Sequence, residues 1–223
     1  MVFWTSGCEP VARWNSVGGN PLFRIPLNSP DEDSVMPFKN SADQYGTVTR
    51  FLHWAVFLLF VWQYLSANIM TRLGRDSALF GLNPNDYYNW HKSIGLVLLA
   101  LALARWIWRK TTPLPDWAPT LSPAERVISH RNEMLLYGCM FLLPISGYLF
   151  VMAGGYGIKL FGVYMLPDPI GKQAWLAALA RLLHILVGYA AVVFIAWHVG
   201  LGLKHHLFDR DRFLYRMLPF RRQ

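Results

Sequence analysis

The sequence predicts an all-α integral membrane protein built as a four-helix up-and-down bundle. Three observations carry that reading. Charged residues make up 15% of the 223 and hydrophobic residues 54%, against about 25% charged in a typical soluble domain. The stretches 51–71, 134–158 and 182–203 contain no Asp, Glu, Lys or Arg, and each reaches the ~20 residues that a spanning helix needs. The chain also carries 10 Trp, 10 Tyr and 14 Phe, a supply that suits interfacial belts and flat cofactors.

The elements follow in order. Residues 1–35 mix Pro, Gly, Asn and Ser with the acidic run Asp31-Glu32-Asp33 and hold no sustained apolar segment. They lack the basic-then-apolar order of a signal peptide. We expect them to be a disordered or wrongly included extension, with Met36 the true initiator and 36–223 the membrane domain. Four helices are expected at about 48–70, 90–109, 131–154 and 181–206. The second is the least clean. Its charge-free centre runs only from Ser93 to Ala104, between Lys92 and Arg105. Because it lies between two spans it must itself cross or re-enter, and its end charges can snorkel to the interface. Pro144 is expected to kink the third helix.

The net charge is +8. The basic residues flank apolar runs, which is a topology signal and not a nucleic-acid surface. With four spans both termini share a side. That side holds thirteen Lys and Arg from residue 39 onward, and the other holds six. The positive-inside rule then places both termini in the cytoplasm. Two cysteines, Cys8 and Cys139, are present without a C-x-x-C-H run. No disulfide is expected, and covalent c-type haem attachment is excluded.

The chemistry lies with the histidines. Imidazole is rare inside a span and usually functional there. His53 starts the first expected helix on the inner side, and His91 and His184 start the second and fourth on the outer side. His198 follows His184 by 14 residues, which is ~3.9 turns and ~21 Å of rise on one helix face. It therefore returns to the depth of His53. Two pairs result, His53 with His198 and His91 with His184. Facing imidazoles near each surface suit two six-coordinate irons, so we expect two haems in the bundle core.

Gly95, Gly188 and Gly202 each follow one of these histidines by four residues and share its face. They could admit a porphyrin, although helix packing recruits glycine equally well. Arg105 lies 14 residues after His91 and reaches the inner depth, where a haem propionate would offset its charge. Lys92 is the matching candidate outside. His130 could meet a propionate or a quinone headgroup, or simply sit at the interface. Zinc is the rival metal, but it prefers four clustered donors at one depth. His205-His206 read as a basic interfacial end.

At these residues the chain resembles the bacterial cytochrome b561 family, the di-haem inner-membrane group that includes the cytochrome b subunits of nickel hydrogenases. The resemblance spans about 43–219. It rests on Tyr45-Gly46, Leu52-His53-Trp54, His91-Lys92-Ser93-Ile94-Gly95, Arg105, His130 and Tyr137. Further on it rests on His184 and His198, Lys204-His205-His206 and Arg216-Met217-Leu218-Pro219. It implies haem b held by the same two histidine pairs and electron exchange with ubiquinone. Some members oxidise superoxide at the outer face, and others pair with periplasmic or dehydrogenase partners. The expectation is thus an electron-transfer cytochrome in a respiratory chain. A superoxide:ubiquinone oxidoreductase is the alternative, and a non-redox transporter or scaffold is the remote one.

Overall fold

The structure is a computed structural model that describes residues 14–16, 24–26, 38–42, 44–117, 120–209 and 214–218. The chain divides into two compact units, Met1–Met36 and Pro37–Gln223. In the first, β1 (Trp14–Ser16) pairs antiparallel with β2 (Arg24–Pro26). The rest of the expected extension lies outside the described residues.

The second unit is the bundle. Its helices are α1 (Thr47–Arg72), α2 (Pro84–Thr111), α3 (Pro123–Ala153) and α4 (Ala174–Leu207). All four are long and apolar enough to cross a membrane. The observed helices begin earlier than expected, at 84 against 90, at 123 against 131 and at 174 against 181. For α2 and α3 the reason is local chemistry at the start of the helix. Asn83 accepts hydrogen bonds from Asn85 and Asp86 backbone N–H groups while the Asp86 carboxylate accepts from the Asn83 N–H. Ser122 and Glu125 repeat this capping box at α3, and proline occupies the first turn of both helices, where its missing N–H costs nothing. A hydropathy reading stops where apolar residues stop, but a capped helix continues into the interface. Pro144 lies inside α3, and the helix runs on through it.

Successive helices pack in order, α1 on α2, α2 on α3 and α3 on α4. Val56, Leu98, Ala102, Tyr137 and Met140 form the buried seam of the first three. At the end expected to face outward, termed the outer end, β3 (Lys159–Leu160) and β4 (Tyr164–Met165) make a small antiparallel hairpin. It packs on α2 and α3 around Val151, Met152 and Ile158. At the opposite end, termed the inner end, a 3-10 turn, Leu214–Arg216, packs against α4, and the residues after it reach α1. The indole of Trp54 donates to the Met217 carbonyl at 2.8 Å, and Arg50 donates to that of Leu218 at 3.3 Å. Gly46 is needed at this end, since a Cβ there would lie 2.5 Å from the Lys39 carbonyl carbon.

One feature of the packing positions the site. Among the described residues no Cα of α4 comes within 8 Å of α1 or α2. Helices in ordinary contact pack with axes 8–10 Å apart, which brings backbone closer than that. Along α4 only Ala180, Ala191, Gly202 and His205 are buried. The fourth helix leans on α3 and stands off from the other two.

Candidate functional site

The four expected histidines face each other across that gap. The rings of His53 on α1 and His198 on α4 have centroids 6.1 Å apart. Those of His91 on α2 and His184 on α4 are 6.2 Å apart. A metal between two imidazoles takes ~2 Å on each side, and the two ring half-widths account for the remaining ~2 Å. Each pair therefore has the opening of a bis-imidazole site. The stand-off of α4 leaves width beside each opening for a flat group. The residues present thus fit a porphyrin iron held from both faces, and the four histidines would hold it.

The outer pair is fixed by neutral groups. His91 Nδ1 lies 3.0 Å from the Ser66 hydroxyl on α1. Gln63, one turn earlier, donates to the His91 backbone carbonyl at 2.9 Å. His184 Nδ1 lies 2.9 Å from the Leu143 carbonyl and 3.3 Å from the Ser146 hydroxyl, both on α3. Ser66 and Ser146 are fully buried. Gly147 lies beside them, and a Cβ on it would stand 3.0 Å from Cε1 of the His184 ring. Only glycine lets that ring lie so close to α3.

The inner pair is set among charges. Arg105 Nη2 lies 3.4 Å from His53 Nδ1, and the guanidinium carbon lies 5.9 Å from the centre of the Tyr137 ring. One turn on, Arg109 donates twice to Glu133, at 2.5 and 2.8 Å. Tyr45, in the segment before α1, has its phenol held above its ordinary pKa by burial and then by the Glu133 charge. It stays neutral and protonated at physiological pH.

Other expected residues have different surroundings. Lys92 donates to the Gly157 carbonyl at 3.0 Å, which ties α2 to the outer loop. The missing side chain of Gly95 faces Gln63, that of Gly188 makes ordinary contact with Leu143, and that of Gly202 faces Leu214. His130 is more than half exposed and lies 3.8 Å from Glu133. Cys139 is a free buried thiol, while Cys8 lies outside the described residues. His205 is no loose interfacial end. It is buried, with Nδ1 2.8 Å from Asp209 and Nε2 4.0 Å from Glu125. Lys204 pairs with the same two carboxylates. Glu125, His205 and Asp209 lie close enough to suggest a metal site, but the Lys204 ammonium already occupies the cation position between the carboxylates.

Sequence reasoning missed Ser66, Leu143, Ser146 and Gly147. None lies at a helical spacing from the histidine it touches, because each sits on a neighbouring helix.

The chain matches the family described as prokaryotic cytochrome b561 over residues 44–220. It is 31% identical to cytochrome b561 homolog 2 of Escherichia coli strain K12, over 82% of this chain and 95% of that protein. It is 27% identical to the probable superoxide oxidase CybB of Yersinia pestis, over 80% and 98%. It is 23% identical to cytochrome b561 homolog 1 of Escherichia coli strain K12, over 81% and 99%.

Proposed function

The chain belongs to the prokaryotic cytochrome b561 family, and we propose that it is a di-haem b-type carrier joining an outer-side redox partner to the ubiquinone pool. It is a multi-pass membrane protein, and the family implies haem b. The observation that carries the finer reading is the pair of facing imidazoles, 6.1 and 6.2 Å between centroids, in the gap that α4 leaves. His53 and His198 hold the inner haem, and His91 and His184 the outer. Both termini lie in the cytoplasm, as the charge bias supports. When bound, the haems would supply one-electron chemistry, held by these four imidazoles.

The chain's own residues do the rest. The imidazoles fix the depth of the two centres. On α4 the two ligands are separated by ~21 Å of helical rise, which would place the two centres at different depths of one bundle. Arg105 would meet a propionate of the inner haem, since its buried Nη1 has no hydrogen-bond partner among the described residues. The apolar outer surfaces of α1 and α4 face lipid, with Leu58, Leu65, Leu186 and Val193 exposed there.

The test is a reduced-minus-oxidised spectrum with a haem count on the purified protein. Two b-type haems per chain are expected, falling to one in His53→Ala and in His184→Ala. A folded, colourless protein would end the proposal. A second reading, superoxide oxidation at the outer haem with ubiquinone as acceptor, draws on the likeness to the protein named as a probable superoxide oxidase. Stopped-flow mixing with superoxide decides it, because slow or absent haem reduction removes it.

A further inference from the structure

The two histidine pairs differ in what stands behind them. The outer ligands meet acceptors: the Ser66 hydroxyl at 3.0 Å from His91 Nδ1, and the Leu143 carbonyl and Ser146 hydroxyl at 2.9 and 3.3 Å from His184 Nδ1. At the inner pair the polar group beside His53 Nδ1 is a cation, Arg105, at 3.4 Å. The carboxylate nearby, Glu133, is engaged twice by Arg109, so that Arg105, Arg109 and Glu133 together keep a net positive charge. No hydrogen bond is made to either ring nitrogen of His198 among the described residues. The outer side has a cation next in sequence to His91, namely Lys92. Its ammonium turns away to the Gly157 carbonyl, as successive helical residues do not share a face.

An imidazole bound to metal through Nε2 keeps its proton on Nδ1. At the outer pair that N–H is donated to a hydroxyl or a carbonyl, which makes the ligand more electron-rich and favours the oxidised, more positive iron. At the inner pair Arg105 is itself a donor and cannot accept the His53 proton. Its positive charge favours the reduced iron instead. The two environments push the two centres in opposite senses.

Resting on the bis-histidine reading above, we propose that Ser66, Ser146 and the Leu143 carbonyl hold the outer haem low in potential while Arg105 holds the inner haem high. Electrons then run downhill from the outer surface to the inner. The step is a single electron leaving the outer centre, which is oxidised, and reaching the inner centre, which is reduced. No bond forms or breaks. All four groups act as positioning and tuning elements through the ligands they touch.

An optical redox titration of the full-length purified protein tests this, with His53→Ala and His184→Ala identifying the two transitions. The inner haem is expected to hold the electron at least tenfold more strongly, a separation of ~59 mV for one electron. Arg105→Gln should lower the inner midpoint and leave the outer one unmoved, and Arg105→Lys should restore most of the difference. Ser66→Ala should raise the outer midpoint alone. An inner midpoint at or below the outer one overturns the proposal, as does an Arg105→Gln shift shared equally by both haems. Should Arg105→Gln lose its inner haem, Ser66→Ala decides alone, and an unmoved outer midpoint rejects the assignment. Failure of the underlying reading looks different: the α-band is missing, or it is indifferent to the histidine variants.

Discussion

The two ends of the bundle are closed by different chemistry. The inner end is tied by ions. Arg109 pairs with Glu133, and Lys204 and His205 bridge Glu125 and Asp209. The outer end is tied by neutral groups and carbonyls. Tyr87 donates to the Leu79 carbonyl, the Phe161 N–H donates to Ser93, and the charges of Lys92, Asp86 and Asp168 each meet backbone groups and not an opposite charge. The contrast matters because a one-electron centre responds to every nearby charge. The same hydrophobic frame can hold two chemically equal ligand pairs and still make them unequal by what closes each end.

The most severe way to break the comparison is to remove a ligand from one end only. His198→Ala should abolish the inner haem and leave the outer one, halving the haem content measured against protein. Gly147 offers a subtler break confined to the outer end. A Cβ there meets the His184 ring at 3.0 Å, so the ring must shift or the site must loosen. Gly147→Leu should lose the outer haem, and Gly147→Ala should weaken its retention during purification, with the inner haem unaffected. The count of haem per chain reads both.

Glu133→Gln sharpens the electrostatic half of the contrast. It releases Arg109 and leaves two cations near His53 and His198, so the inner midpoint should rise. The loss in stability should be small, ~1 kcal/mol or less, because the pair is partly exposed. A thermal melt and a redox titration on the same sample separate the two effects. The smallest effect belongs to the N-terminal unit. A chain begun at Met36 should bind haem as the full chain does, because the family match starts at residue 44. Loss of haem in that shorter chain would give residues 1–35 a role in the bundle.

Much of this molecule was legible in advance, for reasons that particular residues make plain. Three of the four spans announce themselves because lipid excludes charge over ~20 residues at a time, and the second follows from lying between two of them. His184 and His198 share a face because 14 residues make nearly four turns, and the same spacing from His91 carries Arg105 to the inner depth. Helix starts were less legible. Asn83 and Ser122 prolong α2 and α3 through caps that hydropathy does not register. His205 looked like a basic end and is a buried partner of Asp209, since nothing local told that the start of α3 would supply Glu125 beside it.

What the sequence determined by itself was which segments cross the membrane, which way the charge bias points, and which histidines share a depth. These are properties of one helix at a time, set by hydropathy and by the 3.6-residue turn. Only the tertiary structure decided that α4 leans on α3 and leaves a gap toward α1 and α2. It alone set a serine behind His91, a carbonyl and a serine behind His184, and an arginine behind His53. Those contacts join residues 25 to 52 positions apart. They depend on how helices rotate and slide against one another, which side-chain packing settles and linear periodicity does not record.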